Sequence, residues 1–269
     1  EGASTLFFFM TYGICQLSVV PLRAEAKDQA EIVSQLLLGD LIEILKVEEN
    51  WASVKCLFDD YIGWMDTKQI SMLSASEFKQ LQSSDKLLSK GHFTKISLDG
   101  SDSIAPFGSI FYNLESSFLS YVLNPKGNSE EHNSIGKAAL SFLNAPYLWG
   151  GKTIYGIDCS GFTQIVFKVF GIDLKRDASQ QAEQGELIRF IDAQENDLAF
   201  FSNKKGRVTH VGIILKGSLI IHASGKVRID ELNKKASLTT LNNGLAQKAN
   251  LSLLSTIVEL QTLVNNSVE

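Results

Sequence analysis

The sequence predicts an α+β fold preceded by small β-barrel units, and three observations predict it. Short apolar runs broken by turn residues fill the first 70 positions, the spacing of a small barrel. From Ser134 onward two helical patterns come first and apolar strand runs follow, the order of an α+β domain and not of a βαβ repeat. The 269 residues leave room for two or three domains, each able to bury a core.

Taken in order, residues 1–9 run into the apolar Leu6 to Met10 without a basic n-region or a small-residue cleavage site. They read as a leader or cloning remnant ahead of a start at Met10, not as a signal peptide. Residues 10–70 form one barrel domain, with strands expected over Gln16 to Leu22, Glu31 to Leu38, Asp40 to Val47, Trp51 to Leu57 and Tyr61 to Met65. An Asp59-Asp60 turn precedes the last of these. Residues 71–128 read as a second, degenerate barrel-like domain or a linker, with a helical stretch over Ser74 to Leu88 and a strand pair within Phe107 to Leu123. The turn cluster Asn124-Pro125-Lys126-Gly127-Asn128 marks the boundary to a third domain over 129–269.

In that domain Ser134 to Asn144 is an amphipathic helix stopped by Pro146. After the loop Tyr147-Leu148-Trp149-Gly150-Gly151, Asp158-Cys159-Ser160-Gly161 opens a second helix that runs to Phe170 and ends at Gly171. The apolar runs Leu198 to Phe201, His210 to Leu215 and Leu219 to His222 supply an antiparallel sheet.

Composition narrows the function. A net charge of −5 and a pI near 5.5 argue against nucleic acid or an anionic membrane as partner. No apolar run reaches the length of a membrane span. Three cysteines, Cys15, Cys56 and Cys159, are too few and odd in number for a disulfide framework, and no Cys/His cluster has zinc spacing. Neither metal nor cofactor is expected. Free thiols without an export signal point to the cytoplasm, or to export if a signal was removed upstream.

Cys15 and Cys56 sit in strand-like runs and read as buried small hydrophobes. Cys159 differs, because it heads a helix. Unpaired N–H groups and the positive dipole end favour a thiolate there and lower a pKa of about 8.5. His210 begins one strand and His222 ends the next, with Leu215-Lys216-Gly217 as a three-residue hairpin loop between them. In that register 214 pairs with 218, so 210 falls opposite 222 and the imidazoles share a sheet face. One ring can take the thiol proton while the other holds it in place, the logic of a catalytic triad. His92 and His132 lie in polar, loop-like surroundings and are assigned no chemistry. Gly151-Lys152-Thr153 is not a phosphate loop, since Pro146 stands where that motif needs glycine and a helix leads in where it needs a strand.

Two stretches carry a family resemblance. Val20-Pro21-Leu22-Arg23, Leu38-Gly39-Asp40, Asn50-Trp51 and Tyr61-Ile62-Gly63-Trp64 resemble the bacterial SH3 (SH3b) pattern. Ala145 to Gly151, Gly156 to Phe162, Arg176-Asp177-Ala178-Ser179-Gln180-Gln181, Asp197 to Phe201, His210 to Ile213 and His222-Ala223-Ser224 resemble the NlpC/P60 cell-wall cysteine peptidases, in order over about residues 134–232. The resemblance implies a papain-like catalytic domain with Cys159 as nucleophile, His210 as base and His222 as the third polar residue. Tyr147 would add its hydroxyl to the oxyanion site, a donor worth about 2.7–4 kcal/mol in the transition state.

With SH3b units in front, the chain is similar to the γ-D-glutamyl-L-diamino acid endopeptidases (dipeptidyl-peptidase VI type) of cell-wall recycling. The partner implied is a murein tripeptide or tetrapeptide, L-Ala-γ-D-Glu-diamino acid. Glu25 and Tyr61 would hold its free amine with Asp158, and Ser160 and Ser179 would receive the D-Glu carboxylate. Two departures stand out. Asn196 replaces the family's usual glycine before Asp197, with a positive φ expected to survive. The tail after Lys235 matches poorly, with Ala249 to Glu259 offered as the last strand. The rival readings are a thiol-dependent amidase or acyltransferase and a wall-binding SH3b protein with an inactive peptidase domain.

Overall fold

The computed structural model describes residues 11–114, 117–123, 132–232 and 237–240, with only the backbone at 122–123 and 237–240. The expected start at Met10, the turn cluster at 124–128 and the proposed strand at 249–259 lie outside the described residues.

The first unit is a seven-stranded antiparallel sheet. Its strands are β1 (Tyr12–Ile14), β2 (Val19–Arg23), β3 (Ile32–Leu37), β4 (Leu41–Glu48), β5 (Trp51–Cys56), β6 (Ile62–Asp66) and β7 (Ser71–Leu73). They are ordered β3-β2-β6-β5-β4-β1-β7. Alternate residues point inward, so Val20, Leu22, Leu36, Ile42, Ala52, Val54 and Met65 close a small core around Cys15 and Cys56. Asp60 takes a φ of 61° in the turn before β6, a conformation Asp tolerates.

Helix α1 (Ala75–Ser83) starts at a capping box, in which Ser74 accepts from Glu77 N–H and the Glu77 carboxylate accepts from Ser74 N–H. It is shorter than the sequence suggests because the chain extends again at β8 (Lys86–Leu88). Then come β9 (Thr94–Leu98), β10 (Ser101–Ala105), β11 (Ile110–Tyr112) and β12 (Tyr121–Leu123). The strand pair expected within Phe107 to Leu123 does not form. Both strands exist, but β11 pairs with β8 and β12 with β9.

In the remaining chain α2 (Ile135–Leu140) precedes the two-residue strands β13 (Lys152–Thr153) and β14 (Gly156–Ile157). Helices α3 (Cys159–Lys168) and α4 (Ala178–Gln181) follow. After them come β15 (Glu186–Ile188), β16 (Leu198–Ser202), β17 (Val208–Leu215), β18 (Leu219–Ser224), β19 (Lys226–Glu231) and β20 (Ser237–Thr240). Six of these strands make one antiparallel sheet, ordered β15-β20-β16-β17-β18-β19. Every residue of α3 is buried, so it is a central core helix rather than an amphipathic one. Asn196 has a φ of 75°, so the turn before β16 survives the replacement of glycine.

The parts share one core. Leu37 of the barrel and Phe107 belong to the same apolar cluster as Phe142, Phe162 and Ile165. Buried polar contacts tie the barrel to α3 and its surroundings. Lys168 Nζ lies 2.9 Å from Asp40 Oδ1, Gln164 Nε2 donates to Asp59 Oδ2 at 2.9 Å, and Arg176 Nε donates to Ser34 Oγ at 3.0 Å. His92, expected in a polar loop, is instead 5% exposed and packs on Phe107 and Phe142. Among the described residues no helix is long and apolar enough to cross a membrane.

Candidate active site

Asp158 caps α3. Its Oδ1 accepts from Gly161 N–H at 2.7 Å, and its Oδ2 accepts from Gly150 N–H at 2.8 Å. A side chain at Gly161 would bring its Cβ to 2.4 Å from the Gly151 carbonyl, so only glycine lets the loop press against the start of the helix. This clamp sets Cys159 as the first helical residue, with 6% of its surface exposed.

The thiol pKa does not fall as the helix position suggests. Burial pushes it up, the neighbouring Asp158 adds to that, and backbone hydrogen bonds from Val211 and Ser160 offset them only in part. Desolvation outweighs the helix terminus, so the resting group is a thiol. Cys159 shares its buried cluster with Val211 of β17, the residue after the first imidazole.

His210 and His222 meet. His210 Nε2 lies 2.7 Å from His222 Nδ1, with the rings 4.9 Å apart and inclined at 69°. The pairing differs from the sequence register. The hairpin pairs Ile213 with Ile221 and Leu215 with Leu219, so the turn is Lys216-Gly217-Ser218 and His222 stands across from Gly212. The shift is two residues in pairing, which preserves the face, and the rings meet on a diagonal. Gly212 makes that diagonal possible, because a Cβ there would come within 2.7 Å of the His222 Cβ. Burial and then His222 lower the His210 pKa to about 4, so His210 is a neutral imidazole at pH 7.

His222 Nε2 lies 2.9 Å from Asp230 Oδ2, and Arg228 donates to Asp230 Oδ1 through Nε at 2.9 Å and Nη2 at 2.6 Å. Burial opposes ionisation of Asp230, but His222 and Arg228 outweigh it and hold the carboxyl below the usual range. Strand β19, which carries this pair, has no counterpart in the sequence-predicted strands, although Val227 and Ile229 alternate with polar residues.

Tyr147 is partly buried on the same core, and its phenol is pushed up to about 12 by burial, Cys159 and Asp158. It remains a neutral O–H donor, the state an oxyanion site requires. Ser160 is buried with its hydroxyl on Arg176 Nη1 at 3.1 Å and Asp158 Oδ1 at 3.4 Å. Ser179 is half-buried on α4.

Arg176 is the organising residue that the sequence reading names only within a motif. It is 1% exposed and grips both carboxylate oxygens of Asp158 while also reaching Ser160 and the barrel's Ser34. No spacing marks it, because an arginine beside Asp177 reads as an ordinary surface pair. Tyr61 reaches the catalytic domain, donating to Asp177 Oδ1 at 3.4 Å. Glu25 lies exposed with its carboxylate on Lys27 at 2.6 Å. The barrel carboxylate that contacts the loop before α3 is Glu31, bonded to the indole N–H of Trp149.

A thiol at the head of a buried helix, set against an antiparallel sheet that bears paired imidazoles, defines the class: α+β proteins of papain-like organisation. The NlpC/P60 family profile matches residues 144–244, and the profile of the bacterial dipeptidyl-peptidase SH3 domain matches residues 22–70. The chain belongs to the NlpC/P60 family. It is 36% identical over 110 residues to a probable endopeptidase of Haemophilus influenzae, covering 39% of this chain and 68% of that one. It is 34% identical over 129 residues to the gamma-D-glutamyl-L-lysine dipeptidyl-peptidase of Bacillus subtilis, covering 47% of this chain but only 40% of that protein's length. Dipeptidyl-peptidase 6 of Lysinibacillus sphaericus is 27% identical over 262 residues, 81% of this chain and 90% of its own. The solved structure of an NlpC/P60 family protein from Bacillus cereus superimposes with a TM-score of 0.73 at 19% identity, over 85% of this chain and 99% of that one, and so shares the fold.

Proposed function

We propose that the protein is a cysteine peptidase that hydrolyses the γ-D-glutamyl-L-diamino acid bond of murein peptides with a free N-terminal L-Ala. The observation that carries this reading is the hydrogen-bonded His210–His222 pair, in which His210 directly precedes Val211, a residue of the same buried cluster as Cys159. In this mechanism His210 takes the thiol proton as sulfur attacks the carbonyl of the scissile amide. The tetrahedral oxyanion accepts from the Cys159 N–H and the Tyr147 hydroxyl. His210 then returns the proton to the leaving amine, and water releases the acyl group from sulfur by the same path.

The substrate assignment draws on the names of the Bacillus subtilis and Lysinibacillus sphaericus relatives, and the charge at the barrel edge supports it. Two carboxylates, Asp158 and Asp177, stand beside one guanidinium, Arg176, leaving one negative charge in excess. Burial first, and Asp158 after it, push the Asp177 carboxyl up, while burial and then Asp177 push the Tyr61 phenol up to about 12. An ammonium placed there relieves that excess. Asp158 acts from behind, since its oxygens are spent on the helix cap and Arg176, and Glu25 must exchange Lys27 for the substrate. Ser160 and Ser179 are assigned to the D-Glu carboxylate, with Arg176 behind Ser160. The L-Ala amine is free only on peptides already released from the sugar strands, so the proposed setting is cytoplasmic recycling.

The test is kcat/KM on L-Ala-γ-D-Glu-L-Lys, on its meso-diaminopimelate counterpart and on the N-acetylated forms. Loss of a charge-assisted contact is worth about 2–3 kcal/mol, so acetylation is expected to lower kcat/KM roughly 30- to 150-fold. Equal values would remove the amine from the reading, and no cleavage of any of the four would remove the peptidase assignment.

A further inference from the structure

Three neighbouring strands bring His210, His222 and Asp230 into one row. The β17–β18 register sets His222 across from Gly212, so His210, two residues back, shares its face. The β18–β19 register pairs His222 with Arg228, so Asp230, two residues further, again shares that face. The row closes through hydrogen bonds of 2.7 Å between the rings and 2.9 Å from His222 Nε2 to Asp230 Oδ2.

We infer that Asp230 is a positioning residue that fixes the tautomer of both imidazoles and so makes Nδ1 of His210 the basic nitrogen. This rests on the reading of Cys159, His210 and His222 as the catalytic set. An ionised carboxylate only accepts hydrogen bonds, so the proton between Asp230 and His222 sits on His222 Nε2. In the neutral ring the other nitrogen, Nδ1, is then an acceptor. It faces His210 Nε2, which must therefore carry the hydrogen. His210 is left with its lone pair on Nδ1, the one nitrogen of the pair not spent within the row. When His210 Nδ1 takes the thiol proton, the new imidazolium keeps its Nε2–H directed at an accepting nitrogen, and no proton need move further along the row. Arg228 completes the device. Its two donors occupy Asp230 Oδ1 and so aim Oδ2 at His222.

The direction of each hydrogen bond yields a test that packing alone does not mimic. In Asp230→Asn, Arg228 holds the amide oxygen and the NH2 turns toward His222. That donor reverses every bond in the row and places the hydrogen of His210 on Nδ1, where the base is needed. On the L-Ala-γ-D-Glu-L-Lys peptide, kcat of D230N is expected to fall by about 10- to 100-fold, the usual cost of losing a group that orients a working imidazole. The loss is expected at least to equal that of Asp230→Ala, with KM within about twofold of the parent. Adding Arg228→Ala to D230N frees the amide to turn and should recover part of the lost kcat. Nitrogen-15 NMR of the histidines needs no substrate. It should report Nε2–H on both rings in the parent and Nδ1–H on both in D230N. A D230N enzyme with parental kcat, or one milder than D230A, overturns the proposal, as do Nδ1–H tautomers in the parent. Parental tautomers as stated, in a protein that cleaves no peptide, would support the row and count only against the peptidase reading.

Discussion

Removing the Asp40 carboxylate should destabilise the whole chain, not the barrel alone. Asp40 sits in the barrel at 1% exposure, and Lys168 sits on α3 at 3%. Their 2.9 Å contact is the charged one among the buried links between the two, and the Lys168 ammonium also lies 4.5 Å from the centre of the Phe58 ring. Burial opposes the charge on Asp40. Lys168, Lys152 and the Leu37 N–H, which donates to Oδ2 at 2.8 Å, outweigh it and hold the carboxyl below its usual range. Asp40→Ala leaves an ammonium without its partner and an amide N–H without its acceptor. Breaking one side of a buried pair costs about 3–5 kcal/mol, against a total stability of about 5–15 kcal/mol. For a chain of this size each kcal/mol moves Tm by about 2–4 °C, so the expected fall is about 6–20 °C. The assay is a double-mutant cycle with Lys168→Met, read by thermal unfolding. Met in the Asp40→Ala background removes the orphaned charge and should recover at least half of the loss. Two outcomes would refute the reasoning: a fall below about 2 °C for Asp40→Ala, or losses that simply add in the double variant.

Other predictions follow from the site. Cys159→Ala should abolish hydrolysis with little change in Tm, and iodoacetamide should label Cys159 ahead of Cys15 and Cys56 in a peptide map. Cys15 is fully buried with its pKa pushed up to about 12 by desolvation, and Cys56 is 2% exposed; labelling of either before Cys159 would contradict this. His210→Ala should lower kcat more than His222→Ala, since His222 acts through His210, and kcat for the two single variants decides it. Acid should destabilise the fold as two buried histidines are forced to take up protons. Burial holds His92 and His210 to pKa values of about 4, against 6.5 for an ordinary histidine. The unfolded chain therefore binds more protons between those values, and the stability from the two neutral rings, complete above pH 6.5, is lost as pH falls toward 4. Unfolding curves from pH 7.5 to 4 should show that decline, and it should be shallower in His92→Gln.

Much of the site was legible because its signals are local. The helix start at Asp158-Cys159, the thiol at position one of α3 and the parity of the hairpin histidines are set by residues close in sequence. The parity held even though the turn lies one residue later than the spacing suggests, because either three-residue loop keeps even-numbered residues on one face. What escaped is non-local. Arg176 gains its role only when β3 of the barrel supplies Ser34 142 residues away in sequence. Asp230 becomes visible only once β19 pairs beside β18, and β19 is short and mostly polar. The expectation of an acidic thiol failed for an energetic reason. The helix terminus is visible in sequence, whereas the burial that outweighs it is a property of the assembled core. Five of the seven barrel strands were legible, whereas the three-residue β1 and β7, too short to show a periodicity, were not, nor was the pairing of β11 and β12, since sequence proximity favours a hairpin that the fold does not make.

The gap at Gly212 has a consequence for reading relatives of this chain. The contact between the two imidazoles spans a position defined by what is missing: a single methyl group there would press on the Cβ of His222 and on the Ile220 side chain beside it. A homologue that keeps its cysteine and both histidines is still silent if one added carbon on an otherwise unremarkable strand displaces the backbone that carries the second ring. Sorting active from lapsed members by their nucleophile and bases alone would then misfile such proteins, and a position that touches no substrate would be the better marker of a working enzyme.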